Sequence, residues 1–157
     1  MAFQSTIYSN QALGKPGTIA RLNPIDKVPR VAEKDVVAGG FVFEGTNPEL
    51  QVVGASSDTS ALTAVAGVAV FEKMQWNNSG AATLNINDGE ELALVRKGYV
   101  YVISSTASTY GQVVGVDPAT GTIETADDAA SLSSGYIDTG WVVETGNAAG
   151  QVCEIRK

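Results

Sequence analysis

The most constraining feature of this sequence is the repeated alternation, from Gly40 onward, of short apolar segments with turn-forming residues. Turns are marked by Asn47-Pro48, Asn87-Asp88-Gly89 and Asp117–Gly121, because Gly and Asn accept positive φ and Pro presets the first turn position. The segments between them are rich in Val and Thr, which favour strands. This pattern predicts an all-β fold, an antiparallel β-sandwich or barrel of short strands with an extended N-terminal arm. The predicted strands are Phe41–Glu44, Leu50–Val53, Val65–Phe71, Leu92–Arg96, Tyr99–Ser104, Gln112–Val116, Thr122–Thr125, Trp141–Thr145 and Gln151–Arg156.

Two segments are interpreted as β-hairpins. In LALVRKGYVYVIS, Leu92–Ser104, apolar residues alternate with less apolar ones on both sides of Arg96-Lys97-Gly98, which predicts two strands with a turn between them. Such a hairpin would have a structural role. One face would form part of the core, and the other face, which carries Tyr99 and Tyr101, would be exposed or would contact a neighbouring subunit. The segment VVGV-DPATG-TIET predicts a second hairpin, because its loop has Pro and Gly at turn positions.

The first 39 residues differ in sequence pattern from the rest of the chain. Pro16, Pro24 and Pro29 fix φ and remove backbone donors, which predicts an irregular, largely extended segment with a short strand at Thr18–Leu22. We therefore divide the chain into an extended N-terminal arm, residues 1–39, and a β-rich body, residues 40–157. Apolar side chains in such an arm must bury against this domain or against a neighbour. The candidates are Phe3, Ile7 and Tyr8.

Charge is unevenly distributed along the sequence. The formal net charge is −7 and the isoelectric point is about 4.4, but residues 1–34 hold five basic and two acidic residues, which leaves −10 for the remainder. An acidic body argues against nucleic-acid binding. The basic leading segment has two interpretations: it orients the protein on a partner surface, or a few solvated lysines happen to fall early in the sequence. We find no signal-peptide pattern and no run near the ~20 apolar residues of a membrane span. We therefore expect cytoplasmic synthesis and no membrane partner.

The residue types of common catalytic and metal sites are scarce or badly spaced. The chain has no histidine to activate its serines and threonines, and it lacks a Gly-x-Ser-x-Gly elbow. Asn85–Glu91, NINDGEE, fails the spacing of a calcium loop and is better explained as a turn. The sequence thus predicts no enzyme activity, no catalytic residue, no metal and no cofactor. Cys153 and Trp141 lie in apolar strand segments and are expected in the core, whereas Trp76 is expected at a rim or contact position.

The order of the elements carries further information. An arm with Gly14, Pro16 and Gly17 precedes VVAGGFVFEG, VAGVAVFEK, ELALVRKGYVYV and GQVVGVDPATGTI, and the chain closes with Gly140-Trp141 and QVCEIRK. In this order the chain resembles the bacteriophage structural cement proteins, the auxiliary proteins that decorate an icosahedral capsid. The resemblance covers nearly the whole chain.

The resemblance implies a non-enzymatic protein on the outer face of a tailed-phage head, synthesised in the cytoplasm of the bacterial host. There it would bridge neighbouring major capsid subunits and stabilise the shell. It also implies a homo-oligomer, a trimer, whose arms reach over adjacent subunits. The candidate partner-binding residues are Phe3, Ile7, Tyr8 and Arg21 in the arm, Arg21 on the ground of its charge, and Trp76 in the body.

Two other classes of function stay open on the residues alone. A carbohydrate-binding or adhesive β-module of a virion would use Trp76 and Tyr110 as stacking residues. A small enzyme on a β-scaffold, such as a trimeric hydrolase, is the least favoured class, because histidine and a carboxylate constellation are missing.

Overall fold

A computed structural model describes residues 14–56, 64–70 and 85–157, apart from the side chain of Asn23. These residues form eleven strands and one short 3-10 helix at Ala129–Ser131. The strands are β1 (Ile19–Ala32), β2 (Val36–Val37), β3 (Phe41–Glu44), β4 (Gln51–Val53), β5 (Val65–Val70), β6 (Asn85–Ile86), β7 (Glu91–Ile103), β8 (Val113–Val116), β9 (Ile123–Ala126), β10 (Ile137–Thr145) and β11 (Val152–Arg156).

The strands form one large sheet that closes on itself over part of its width. β1 pairs in parallel with β4 and antiparallel with β7, so β1, β4, β3, β5 and β7 make a closed ring. From β7 the sheet continues through β11, β10, β8 and β9, while β2 and β6 form a separate small sheet. The all-β prediction is confirmed, and the predicted DPATG hairpin is the observed β8–β9 pair. Within the described residues the parallel β1–β4 pair departs from the predicted antiparallel pattern.

The ring strands contribute to two cores, because neighbouring residues of a strand point to opposite faces. Along β3, Phe41 and Phe43 belong to the larger core, which also contains Trp141, and Val42 belongs to the smaller core. β5 and the first half of β7 divide in the same way. Both faces of these strands are therefore covered, which explains why their sequences are continuous apolar runs instead of alternating ones.

The predicted hairpin at Leu92–Ser104 is wrong, because β7 runs without a turn from Glu91 to Ile103. Its halves do not pair with each other: β5 pairs with the first half, β11 with the second, and β1 runs antiparallel to both. The break at Arg96-Lys97-Gly98 is an irregularity inside the strand. The larger core takes Val95 before the break and Val100 after it, so the alternation shifts by one residue there.

The predicted short strand at Thr18–Leu22 is the beginning of β1, which continues to Ala32, so the expectation of an irregular arm is wrong for residues 23–32. Val28 and Ala32 of β1 pack in the smaller core, and the backbone of β1 pairs with β7 over much of its length. Two prolines are compatible with this strand. Pro24 lies in the part of β1 that does not pair with β7. At Pro29, β7 is the one neighbouring strand among the described residues, so Pro29 occupies an edge position, which accepts proline. Residues 1–13 lie outside the described residues, and the division at residue 39 stays a prediction.

Candidate functional site

Arg21 is the predicted contact residue that falls inside the described part of the chain, and its guanidinium group is held by its own protomer. Its Nε lies 2.7 Å from Glu154 Oε1 and its Nη2 lies 3.3 Å from Glu154 Oε2, a two-point, charge-assisted contact. The guanidinium carbon also lies 4.6 Å from the centre of the Tyr99 ring, within cation–π range. These residues meet because β1 and β11 both pair with β7 at Tyr99.

The cluster extends from Glu154 to a hydroxyl and a second ion pair. Glu154 is 5% exposed and accepts a further hydrogen bond from Thr145 Oγ1 at 3.0 Å. Arg21 Nη2 lies 3.5 Å from Glu144 Oε1, and Glu144 Oε2 lies 2.7 Å from Arg156 Nε. The hydrogen bond to Glu154 raises the pKa of Arg21, so the guanidinium stays charged. Each carboxylate in the cluster therefore has an arginine within ion-pair distance.

These contacts fasten the start of β1 to the sheet. The Arg21 side chain is nevertheless about half exposed, so another protein can reach part of the guanidinium group. A role for Arg21 in binding a partner stays a prediction. The contacts within the protomer add a structural role that the charge of Arg21 alone did not indicate.

Immediately after Arg21, β1 leaves β7 and then returns. The two strands are paired at Arg21 and again at Asp26, and the four residues between them, Leu22–Ile25, stand opposite Gly98 alone. We call this segment the β1 bulge. Ile25 packs against the larger core, whereas Leu22 is 89% exposed. The β1 bulge therefore presents an apolar side chain from a segment that is anchored on both sides.

The other predicted residues have different outcomes. Trp141 and Cys153 are fully buried, as predicted, and burial raises the pKa of the Cys153 thiol. Tyr110 is 70% exposed. Trp76, which was predicted to stack on a carbohydrate together with Tyr110, lies outside the described residues. Four predicted contacts lie there, and they stay predictions: Phe3, Ile7, Tyr8 and Trp76.

The described residues hold no arrangement typical of a metal site. Within residues 14–56, 64–70 and 85–157, no three His, Cys, Asp or Glu side chains are grouped as metal ligands. The same ranges contain no helix with the length and hydropathy of a membrane span. Hydrogen bonds from Thr120 and Ala119 lower the pKa of Asp117 in the β8–β9 turn, so this perturbed carboxylate has a structural explanation.

Comparisons with known proteins place the chain among phage structural proteins. A family model described as "Structural cement protein (E217 gp24/Pam3 gp6)" matches residues 3–157. No curated protein matches the chain. Among solved structures, a chain from the capsid of Myoviridae phage XM1 is similar, with a TM-score of 0.68, 15% identity, and coverage of 99% of this chain and 97% of that one. The head fiber gp8.5 N base of bacteriophage phi29 is similar with a TM-score of 0.51, 13% identity, and coverage of 84% and 92%, respectively. At these identities, the two structures show a shared fold.

Proposed function

We propose an outer-surface, subunit-bridging role for this chain, which belongs to the phage structural cement protein family. Membership makes it a structural protein that associates with capsid proteins and stabilises the capsid. The observation that carries the proposal is the extent of the match. Residues 3–157 include both the β body and the first residues of the predicted arm, so the two belong to one family module.

The architecture of the body suits a protein that must transmit force between subunits. β7 belongs both to the closed ring and to the sheet that extends from it, so the two halves of the body share a strand. Both faces of β3, β5 and the first half of β7 are buried against cores, and close-packed cores deform little. A stiff body of this kind would resist separation of the capsid subunits to which it is attached.

In the proposed arrangement the N-terminal arm binds the capsid. Phe3, Ile7 and Tyr8 insert into apolar recesses of an adjacent major capsid subunit, and Trp76 contacts it from the body. The protein acts as a homo-oligomer, a trimer, on the outer surface of a tailed-phage head, and it has no catalytic activity.

The proposal is tested by adding purified protein to expanded heads that lack it and counting the copies bound per head. The wild type should bind and should raise the temperature at which the heads open. Replacing Phe3, Ile7 and Tyr8 together with alanine should weaken binding at least tenfold, because three apolar side chains lose their buried area.

A matched variant changes polar arm positions instead, with alanine at Gln4, Ser9 and Gln11. It should bind like the wild type. Wild-type protein that leaves the heads bare would refute the outer-surface role. Full occupancy by the Phe3, Ile7 and Tyr8 variant would refute the role of the arm.

A further inference from the structure

Two exposed apolar spots lie on the β1–β7 strand pair in surroundings of opposite charge. The first is Leu22 on the β1 bulge, which is 89% exposed. The second is formed by Val31 and Leu50, which are joined by a hydrogen bond from Val31 N to Leu50 O and are 38% and 61% exposed. Surfaces of complementary charge attract each other and fix the orientation in which two proteins meet.

The surroundings of Leu22 are basic although the chain is acidic. Backbone pairing brings six of the ten Lys and Arg residues within three residues of Gly98 along β7. Asp26, Glu144 and Glu154 share this region, so its nine charged side chains carry +3. We call this region, with Leu22, the bulge end. Its basic residues are Arg21, Lys27, Arg96, Lys97, Arg156 and Lys157.

The surroundings of Val31 and Leu50 are acidic. Val31 is paired with Glu91 at the start of β7, and Asp88 N donates to Asp35 Oδ1 at 3.1 Å, which draws the turn before β7 to the turn after β1. Eight charged side chains here carry −4. We call this region, with Val31 and Leu50, the acidic end. Its charged residues are Arg30, Glu33, Lys34, Asp35, Glu49, Asp88, Glu90 and Glu91.

Within one protomer the two ends cannot meet. Glu91 and Gly98 are seven residues apart on one continuous strand, a separation of roughly 23 Å at the rise of a β-strand. Each copy of the chain therefore offers one basic apolar spot and one acidic apolar spot that its own fold leaves apart. A contact between unlike surfaces of two copies is heterologous, and repetition of such a contact closes a ring or extends a filament.

We propose that copies of this chain associate head to tail, with the bulge end of one copy against the acidic end of the next. Leu22 packs on Val31 and Leu50 of the neighbour, and Lys97 lies against Glu91 of that neighbour. The β1 bulge is held at Arg21 and Asp26, so little conformational entropy is lost when Leu22 is buried. The inference rests on the proposed homo-oligomer and names its surfaces.

Light scattering and sedimentation of the free protein at low salt test this contact. The wild type should form a concentration-dependent oligomer that weakens as salt rises. Leu22→Ala should weaken association roughly tenfold, because most of an apolar side chain is no longer buried. Lys97→Glu and Glu91→Lys should each weaken it, and the double variant, which restores opposite charges across every contact and keeps the wild-type net charge, should recover it.

Circular dichroism of each variant confirms that it is folded, and two controls change exposed residues outside both ends, Tyr110→Ala and Asp127→Lys. Both controls should associate like the wild type. A wild type that stays monomeric would overturn the inference, while binding to heads, measured separately, would still decide the proposed function. A double variant as weak as the single variants would also overturn it. So would a Leu22→Ala variant that associates normally but binds heads poorly, since the bulge end would then contact the capsid protein.

Discussion

At Trp141 two effects of opposite sign act on the stability of the fold. The indole ring is fully buried and packs edge-on against Phe41, whereas its Nε1 has no hydrogen-bond partner among the described residues. Trp141→Ala removes the ring and should lower the free energy of unfolding by about 3–5 kcal/mol. Trp141→Phe keeps an aromatic contact and removes the unsatisfied N–H, so we expect a loss of only about 1 kcal/mol. Denaturant unfolding followed by circular dichroism measures both values, and equal losses would contradict the argument.

Single residues were predictable where their role depends on their own strand. Trp141 and Cys153 were expected in the core because their neighbours are apolar, and both are buried. The partner of Arg21 was not predictable, because Glu154 lies 133 residues away in sequence. Their contact exists only after β1 and β11 have paired with the same part of β7.

At the scale of elements, Gly98 allows β7 to remain one strand through the change of alternation. Its φ of 137° is in a region that other residues rarely adopt, and a Cβ there would lie 3.1 Å from Ile25 Cγ1 in the β1 bulge. Gly98→Ala should therefore lower the free energy of unfolding by about 2–3 kcal/mol. Gly150→Ala is the comparison, because Gly150 has a φ of 75°, close to the left-handed region that other residues can adopt, and has open space around it. Chemical denaturation of both variants checks the prediction, and an equal loss at the two positions would show that neither the φ of Gly98 nor the approach of Ile25 constrains this site.

FVFE and the break at Arg96-Lys97-Gly98 show where a sequence pattern predicts structure and where it does not. FVFE was predicted as a strand with its observed bounds, because an apolar run between turn residues has few other interpretations. Arg96-Lys97-Gly98 interrupts the alternation in the same way whether the chain turns back or continues with a shifted register. The choice depends on β1, β5 and β11, which occupy the edges that the two halves of a hairpin would have used.

The outer edge of β9, the last strand of the large sheet, is covered by another segment of the same chain. β9 pairs with β8 on one side, and on the other side Ser105 N donates to Ile123 O at 2.7 Å. Thr125 N donates to Thr106 Oγ1 at 2.8 Å. A covered edge does not add strands from other molecules. Association between copies would then proceed through side-chain surfaces such as the bulge end and the acidic end.

At the scale of the whole molecule, acidification acts on stability through carboxylates that fasten turns. Hydrogen bonds lower the pKa of three of them, Glu33 by bonds from Thr46, Asp117 by bonds from Thr120 and Ala119, and Asp128 by bonds from Ser131. A carboxyl group whose pKa is lower in the folded than in the unfolded chain stabilises the fold above its unfolded pKa. That stabilisation disappears as the pH falls through the folded pKa.

The net charge acts in the same direction at low pH. The chain carries −7 at neutral pH, but full protonation of its 17 acidic residues would leave the 10 basic ones uncompensated, so self-repulsion grows again on the acid side. The free energy of unfolding should therefore change little from about pH 7 to about pH 5 and fall below about pH 4. Denaturant titrations across this range at constant ionic strength measure it. Asp117→Asn should reduce the acid dependence relative to the wild type, because the variant lacks a carboxylate whose pKa is lowered in the folded chain. Stability that stays constant or rises down to about pH 3 would mean that these turn carboxylates do not hold the fold.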